Sequence, residues 1–149
     1  VTDPSDAIYL RDQAIIRLKA APVFTGGVLR LNKVRKSPLR QIQPADLPCL
    51  SVYFVSERGD ADGDENVGAP EFKNTAQLGV SVAVAISDDD ERQDVLDQAF
   101  MGAIGTLFND GTFVKLFEGC AGYERTNAEG LAGANGETPY AEMRLKLSL

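Results

Sequence analysis

The chain predicts an α+β fold: an antiparallel or mixed β-sheet of about five strands with two α-helices packed on one face. Three observations lead there. Apolar residues recur at helical spacing from Ala7 to Ala21 and from Val95 to Leu107, and they alternate at period two in several other segments. The order along the chain is helix, three strands, helix, two strands, and helices on one sheet face bury both stripes while leaving Arg144 and Lys146 outside. The 149 residues suit a single domain, 1–149, long enough to bury roughly two-thirds of the unfolded surface.

The first helix opens at Asp3-Pro4-Ser5-Asp6, with Asp3 as N-cap, Pro4 at the first helical position and Asp6 near the positive end of the dipole. Ala7, Leu10, Ala14, Ile15, Leu18 and Ala21 form its apolar face, and Arg11, Asp12 and Lys19 face water; Pro22 and Gly26-Gly27 end it. Val28 to Leu31 suits a short strand, and Lys33 to Pro48, with Pro38, Pro44 and Pro48, reads as a long connection. Pro48 fixes its own φ, restricts Leu47 to extended geometry and cannot sit within a sheet, so pairing begins just after it. The strand from Cys49 to Ser56 then sets Leu50, Val52 and Phe54 on one face and Cys49, Ser51, Tyr53 and Val55 on the other.

Glu57 to Asn66 is acidic and glycine-bearing with no apolar period, and predicts a mobile, solvated acidic loop over about 57–71. From Phe72 to Ile86 the alternation resumes: Phe72, Leu78, Val80, Val82, Val84 and Ile86 oppose Lys73, Thr75, Gln77, Gly79, Ser81, Ala83 and Ala85. Such a run spans roughly 50 Å at about 3.3 Å per residue, so it either bends or projects beyond the sheet. Ser87-Asp88-Asp89-Asp90-Glu91 caps a second helix whose stripe is Val95, Leu96, Ala99, Phe100, Ala103, Ile104 and Leu107, and Asn109-Asp110-Gly111 stops it. A strand around Cys120 to Thr126, a Gly-rich loop from Asn127 to Glu137, and a closing strand with Ala141, Met143, Leu145, Leu147 and Leu149 inward complete the chain. Each large inward side chain of that last strand contributes about 1.5–3 kcal/mol on full burial, which makes it part of the core.

Composition excludes several classes of function. A net charge of −7 argues against a dedicated nucleic-acid binder, which needs cations to displace phosphate counterions. The absence of His removes the usual general base and the commonest zinc ligand, and disfavours serine-type triads and zinc hydrolysis. No apolar run approaches the roughly 20 residues of a membrane-spanning helix. The start Val1-Thr2-Asp3-Pro4 lacks the basic-then-apolar order of a secretory signal, which places the chain in the cytoplasm where it is made, with Cys49 and Cys120 reduced and read as small buried hydrophobes.

Of the motif-like objects, Asp60-x-Asp62-x-Asp64 with Glu71 fits part of a twelve-residue calcium-loop frame, but Glu65 holds the sixth place, where such loops need Gly. The Asp88-Asp89-Asp90 run is better explained by capping than by metal binding. Gly130 to Gly136 offers neither dinucleotide-binding nor P-loop spacing, so no cofactor is expected. One cluster remains: Arg30, Lys33, Arg35, Lys36 and Arg40 put a third of the 15 basic residues into 11 positions. It reads as a solvated loop or as a contact for an acidic neighbour, such as Asp60, Asp62, Asp64 and Glu65 of another copy, or for passing DNA.

The arrangement resembles the tail terminator proteins of long-tailed bacteriophages, the family of minor tail protein U in lambda-like phages, over nearly the whole chain. Asp46-Leu47-Pro48-Cys49-Leu50-Ser51-Val52-Tyr53 resembles that family's turn and strand, and Gly122-Tyr123-Glu124-Arg125 its Gly-Tyr-acid/Arg segment before the closing strand. The resemblance implies a structural virion protein, not an enzyme. It implies a subunit of a hexameric ring that caps the tail tube, stops tube polymerisation and offers a surface for head-tail joining. Its implied partners are further copies of itself, the major tail tube protein and a neck or head-tail connector protein, with DNA only in transit and no membrane. It implies a place at the head-tail junction of the virion, reached from the host cytoplasm. The alternatives are a neck or head-completion protein of a phage and, from a different class, a calcium-binding module.

Overall fold

The computed structural model describes residues 4–26, 29–36, 47–62, 71–86, 88–109, 111–117, 119–120, 122–132 and 138–149. Helix α1 (Pro4–Ala20) starts on the proline expected at its first turn, and the chain breaks at Ala21 before a single turn, α2 (Pro22–Thr25), again opened by proline. Strand β1 (Lys33–Arg35) follows, then β2 (Cys49–Asp62) and β3 (Glu71–Val84). Helix α3 (Asp89–Phe108) leads into a second short helix, α4 (Gly111–Val114), and strands β4 (Gly122–Ala132) and β5 (Thr138–Ser148) close the chain.

The five strands form one mixed sheet in the order β1-β2-β3-β5-β4. β1 runs parallel to β2, and every other pairing is antiparallel. Both α1 and α3 lie on the same side, as the two apolar stripes require. Leu10, Ala14 and Leu18 of α1 and Val95, Leu96, Ala99, Ala103 and Leu107 of α3 share a core with Leu50, Val52, Leu78, Val80, Val82, Met143, Leu145 and Leu147 of the sheet. Phe113 of α4 is fully buried in this layer and meets Phe108 and Phe117 edge-on, at centroid distances of 6.5 and 5.5 Å.

Local chemistry explains where the long elements begin. Asp88 is extended and its carboxylate accepts from the Glu91 amide at 2.9 Å, while Asp89, Asp90 and Glu91 sit at the positive end of α3. Gly122 opens β4 at φ 132°, a region that side-chain-bearing residues rarely enter. The Leu47-Pro48 peptide is cis, and pairing of β2 begins at Cys49, immediately after it.

Several expectations need correction. The first strand is Lys33–Arg35, inside the stretch read as a connection, and the described part of 28–31 is not strand: Leu29 and Leu31 are drawn into the core instead. Residues 57–62 and 71, expected in an acidic loop, are paired strand, because β2 and β3 continue as a two-stranded hairpin from Ser56↔Gln77 to Asp62↔Glu71; residues 63–70 lie outside the described residues. β5 pairs only with 77–84 of β3, so the outer half of the hairpin projects, as its length required. A bulge at Val55 shifts the register between Phe54 and Ser56 and resets which side chains share a face beyond it. β4 runs to Ala132, through the first part of the expected Gly-rich loop. Cys49 is buried, but Cys120 is exposed and precedes β4.

Candidate functional site

The second face of the sheet carries no described helix, and the register arranges it in rows. Lys33, Cys49, Ala83, Glu142 and Ala128 form one row; Arg35, Ser51, Ser81, Arg144 and Thr126 the next; Tyr53, Gly79, Lys146 and Glu124 the third. Small side chains in the middle let larger ones lie across them. The Tyr53 ring lies over Gly79, where an added Cβ would stand 2.6 Å from the ring, and its hydroxyl hydrogen-bonds the Ser81 hydroxyl at 3.1 Å. Leu47, Cys49 and Ala83 form a second, smaller apolar cluster against Tyr140.

One carboxylate on this face is not outside. Glu142 is 2% exposed and accepts from Arg144 Nη2 at 3.1 Å. That hydrogen bond, and then the charge of Glu142, hold the Arg144 guanidinium above its ordinary pKa. Arg144, half exposed, carries the pair to the surface, where a groove of about 350 Å³ runs between Tyr53, Glu124, Arg144 and Lys146. The sequence reading leaves Arg144 and Lys146 outside; Glu142, on the same face of the strand, is buried, which its spacing alone does not reveal.

The basic cluster is divided by the structure. Lys33 and Arg35 lie in β1, with Val34 between them packed on the core. Lys36 turns toward α1, its Nζ 3.5 Å from Asp12. Arg30 is exposed and, together with Lys19 and Lys33, lines a groove of about 450 Å³ over Phe24 and Leu31. Arg40 lies outside the described residues. Lys19, read from the sequence only as a solvent-facing helix residue, joins this group because α1 ends beside the segment that leads into β1. Asn32 fixes that segment to the sheet: its amide donates to Pro48 at 2.8 Å and its side chain to Leu47 at 3.2 Å.

Of the acidic set, Asp60 is exposed in β2 and pairs with Arg58 at 3.0 Å. Asp62 faces Glu71 across the hairpin in backbone register, and Asp64 and Glu65 lie outside the described residues. A calcium frame therefore has its first, third and twelfth places on two paired strands rather than on one loop. Among the described residues no group of three or more Cys, Asp or Glu is placed to hold a metal ion, and no helix is long and apolar enough to cross a membrane.

The Gly122-Tyr123-Glu124-Arg125 segment fastens β4 to α3. Tyr123 meets Phe100 with ring centroids 5.6 Å apart, Arg125 lies over the same ring at 4.8 Å, and its Nη2 donates to Asp97 at 2.7 Å. The hydrogen bond from Arg125 holds the Asp97 carboxyl below the usual carboxylate range.

No protein-family model matches the chain, and no curated protein does. Among solved structures the chain is similar to one from the "Virion of native gene transfer agent (GTA) particle", at 14% identity over 98% of both chains with a TM-score of 0.49. At that score the likeness is no warrant for function.

Proposed function

We propose that this chain is a structural virion protein, a tail terminator whose copies form a ring on the end of a phage-like tail tube. The ring stops tube polymerisation and presents the surface to which a neck or head-tail connector protein joins. No reaction is involved, and DNA crosses the lumen only in transit. The observation that supports this best is the layout of the sheet: one face is sealed by α1 and α3, while the other, with Arg35, Arg144, Lys146 and Glu124, and the projecting hairpin remain as surfaces for contact. A ring that matches the tube on one side and differs on the other leaves no site for the next tube subunit.

The test is to add the purified protein to growing tail tubes and image the products. Tubes of arrested length with added density at one end are expected. Unchanged growth, or binding to portal-bound connectors without binding to tubes, would overturn the reading, the latter in favour of a neck protein.

A further inference from the structure

Strand β4 is a long open edge. It ends the strand order β1-β2-β3-β5-β4 and pairs, among the described strands, with β5 alone. That ladder runs through eleven residues, Gly122–Ala132, without a register shift, about twice the usual strand length. In an antiparallel pair alternate residues turn their N–H and C=O groups to one side and the rest to the other, so about half of β4 offers donors and acceptors to its outer side. Lys, Pro and bulges are the usual means of spoiling such an edge, and β4 contains none of them. The chemistry that matches a row of alternating donors and acceptors is another extended strand.

Charge and register decide which strand. The other long edge, β2 beyond Ser51, is interrupted by the bulge at Val55, and laid antiparallel along the whole of β4 it would set Asp60 against Glu124. β1 is only three residues long. A second β4 meets no such conflict. Antiparallel overlap of all eleven residues puts Asn127 on a two-fold axis, Thr126 opposite Ala128, Glu124 opposite Gly130, and Arg125 opposite Glu129, each of these pairs occurring twice. Arg125 and Glu129 lie on the helix side of β4, where each meets an opposite charge of its own copy: Arg125 donates to Asp97 at 2.7 Å, and Glu129 is 3.4 Å from Arg92. Those contacts do not exhaust them. Glu129 is 75% exposed, and the buried Nε of Arg125 has no hydrogen-bond partner. Across the axis the charges alternate in sign: Asp97 and Arg125 of one copy, then Glu129 and Arg92 of the other.

We infer that two copies of this chain join edge to edge through β4, antiparallel about Asn127, into one sheet with five strands from each copy. The contact uses one patch twice and closes at two copies, whereas a ring contact joins two different patches. It therefore stands apart from the ring reading above.

The experiment measures the molar mass of the full chain by light scattering over a concentration series. Circular dichroism confirms that each variant is folded, and amide hydrogen exchange locates the contact. The mass should approach twice that of the monomer, and dimer formation should slow exchange about tenfold or more at the alternate β4 amides that do not bond to β5. Glu129→Lys, which places a like charge opposite Arg125 of the second copy, should weaken the dimer about tenfold, as should Arg125→Glu opposite Glu129. Mixing these two variants restores opposite charges at both pairs of a heterodimer, and both substitutions on one chain restore them in a homodimer, so each should recover most of the loss. A chain that is monomeric at every concentration, a dimer whose β4 amides exchange as fast as the monomer's, or charge variants that recover nothing on mixing would each overturn the contact. Tube capping by a chain that never dimerises would overturn it too and leave the ring reading standing.

Discussion

Glu142 and Arg144 show how a single pair can organise an otherwise small-residue face. Glu142 is buried while Arg144 is about half exposed, so removing the guanidinium leaves a buried carboxylate without the hydrogen bond that Arg144 donates. Arg144→Met should cost about 1–3 kcal/mol in urea unfolding, and adding Glu142→Gln should recover most of it; equal and additive losses would show that the pair is not coupled. Because the Arg144 pKa is raised, this contribution is present throughout the neutral range and is lost only in strong alkali. Gly122 makes a different demand. An added Cβ meets nothing within 4 Å, so Gly122→Ala tests the backbone alone, and its φ of 132° should cost about 1–3 kcal/mol. Position 122 carries a glycine that the sequence marks only as part of a motif; the reason for it is a dihedral angle, which no residue pattern displays.

The elements are held in place by their ends and by a few cross-ties. Asp88→Ala should destabilise by about 0.5–2 kcal/mol through loss of the cap on α3, and thermal unfolding in neutral buffer reads it directly. The acidic run Ser87 to Glu91 ahead of an apolar stripe announced a cap, and the structure places it at Asp88, within that run. The tie between Asp97 of α3 and Arg125 of β4 was not legible, since it joins residues whose proximity depends on how the helix crosses the sheet. Its folded-state pKa is depressed, so its contribution is present above the carboxylate range and lost as pH falls through it. Wild type and Asp97→Asn should therefore differ at neutral pH by no more than about 1 kcal/mol, given the half-exposed carboxylate, and converge in acid. A difference that grew on acidification would contradict this. At Gly102 of α3 an added Cβ would overlap Val23 of α2, so Gly102→Ala should cost about 1–3 kcal/mol and be relieved by Val23→Ala.

At the scale of the molecule, the two halves of the chain are joined through β5, which threads between β3 and β4 and buries Met143, Leu145 and Leu147 under the helices. Leu147→Ala should cost about 2–5 kcal/mol, near the upper end if its neighbours cannot close the void. Period-two and helical spacing by themselves determined the α+β class, the helix layer, the cap of α3 and the inward set of the closing strand, because each follows from which side chains must leave water along a single element. Tertiary structure alone decided the strand order, the place of β1, the bulge at Val55, the burial of Glu142 and the separation of Lys36 from Lys33 and Arg35. Those depend on which backbone donors and acceptors find partners far away in the chain, and on how neighbouring side chains shield one another. The acidic stretch after Ser56 is the clearest instance: polar on both faces, it carries no hydrophobic period, yet it becomes strand because β3 supplies a complete ladder of hydrogen bonds alongside it.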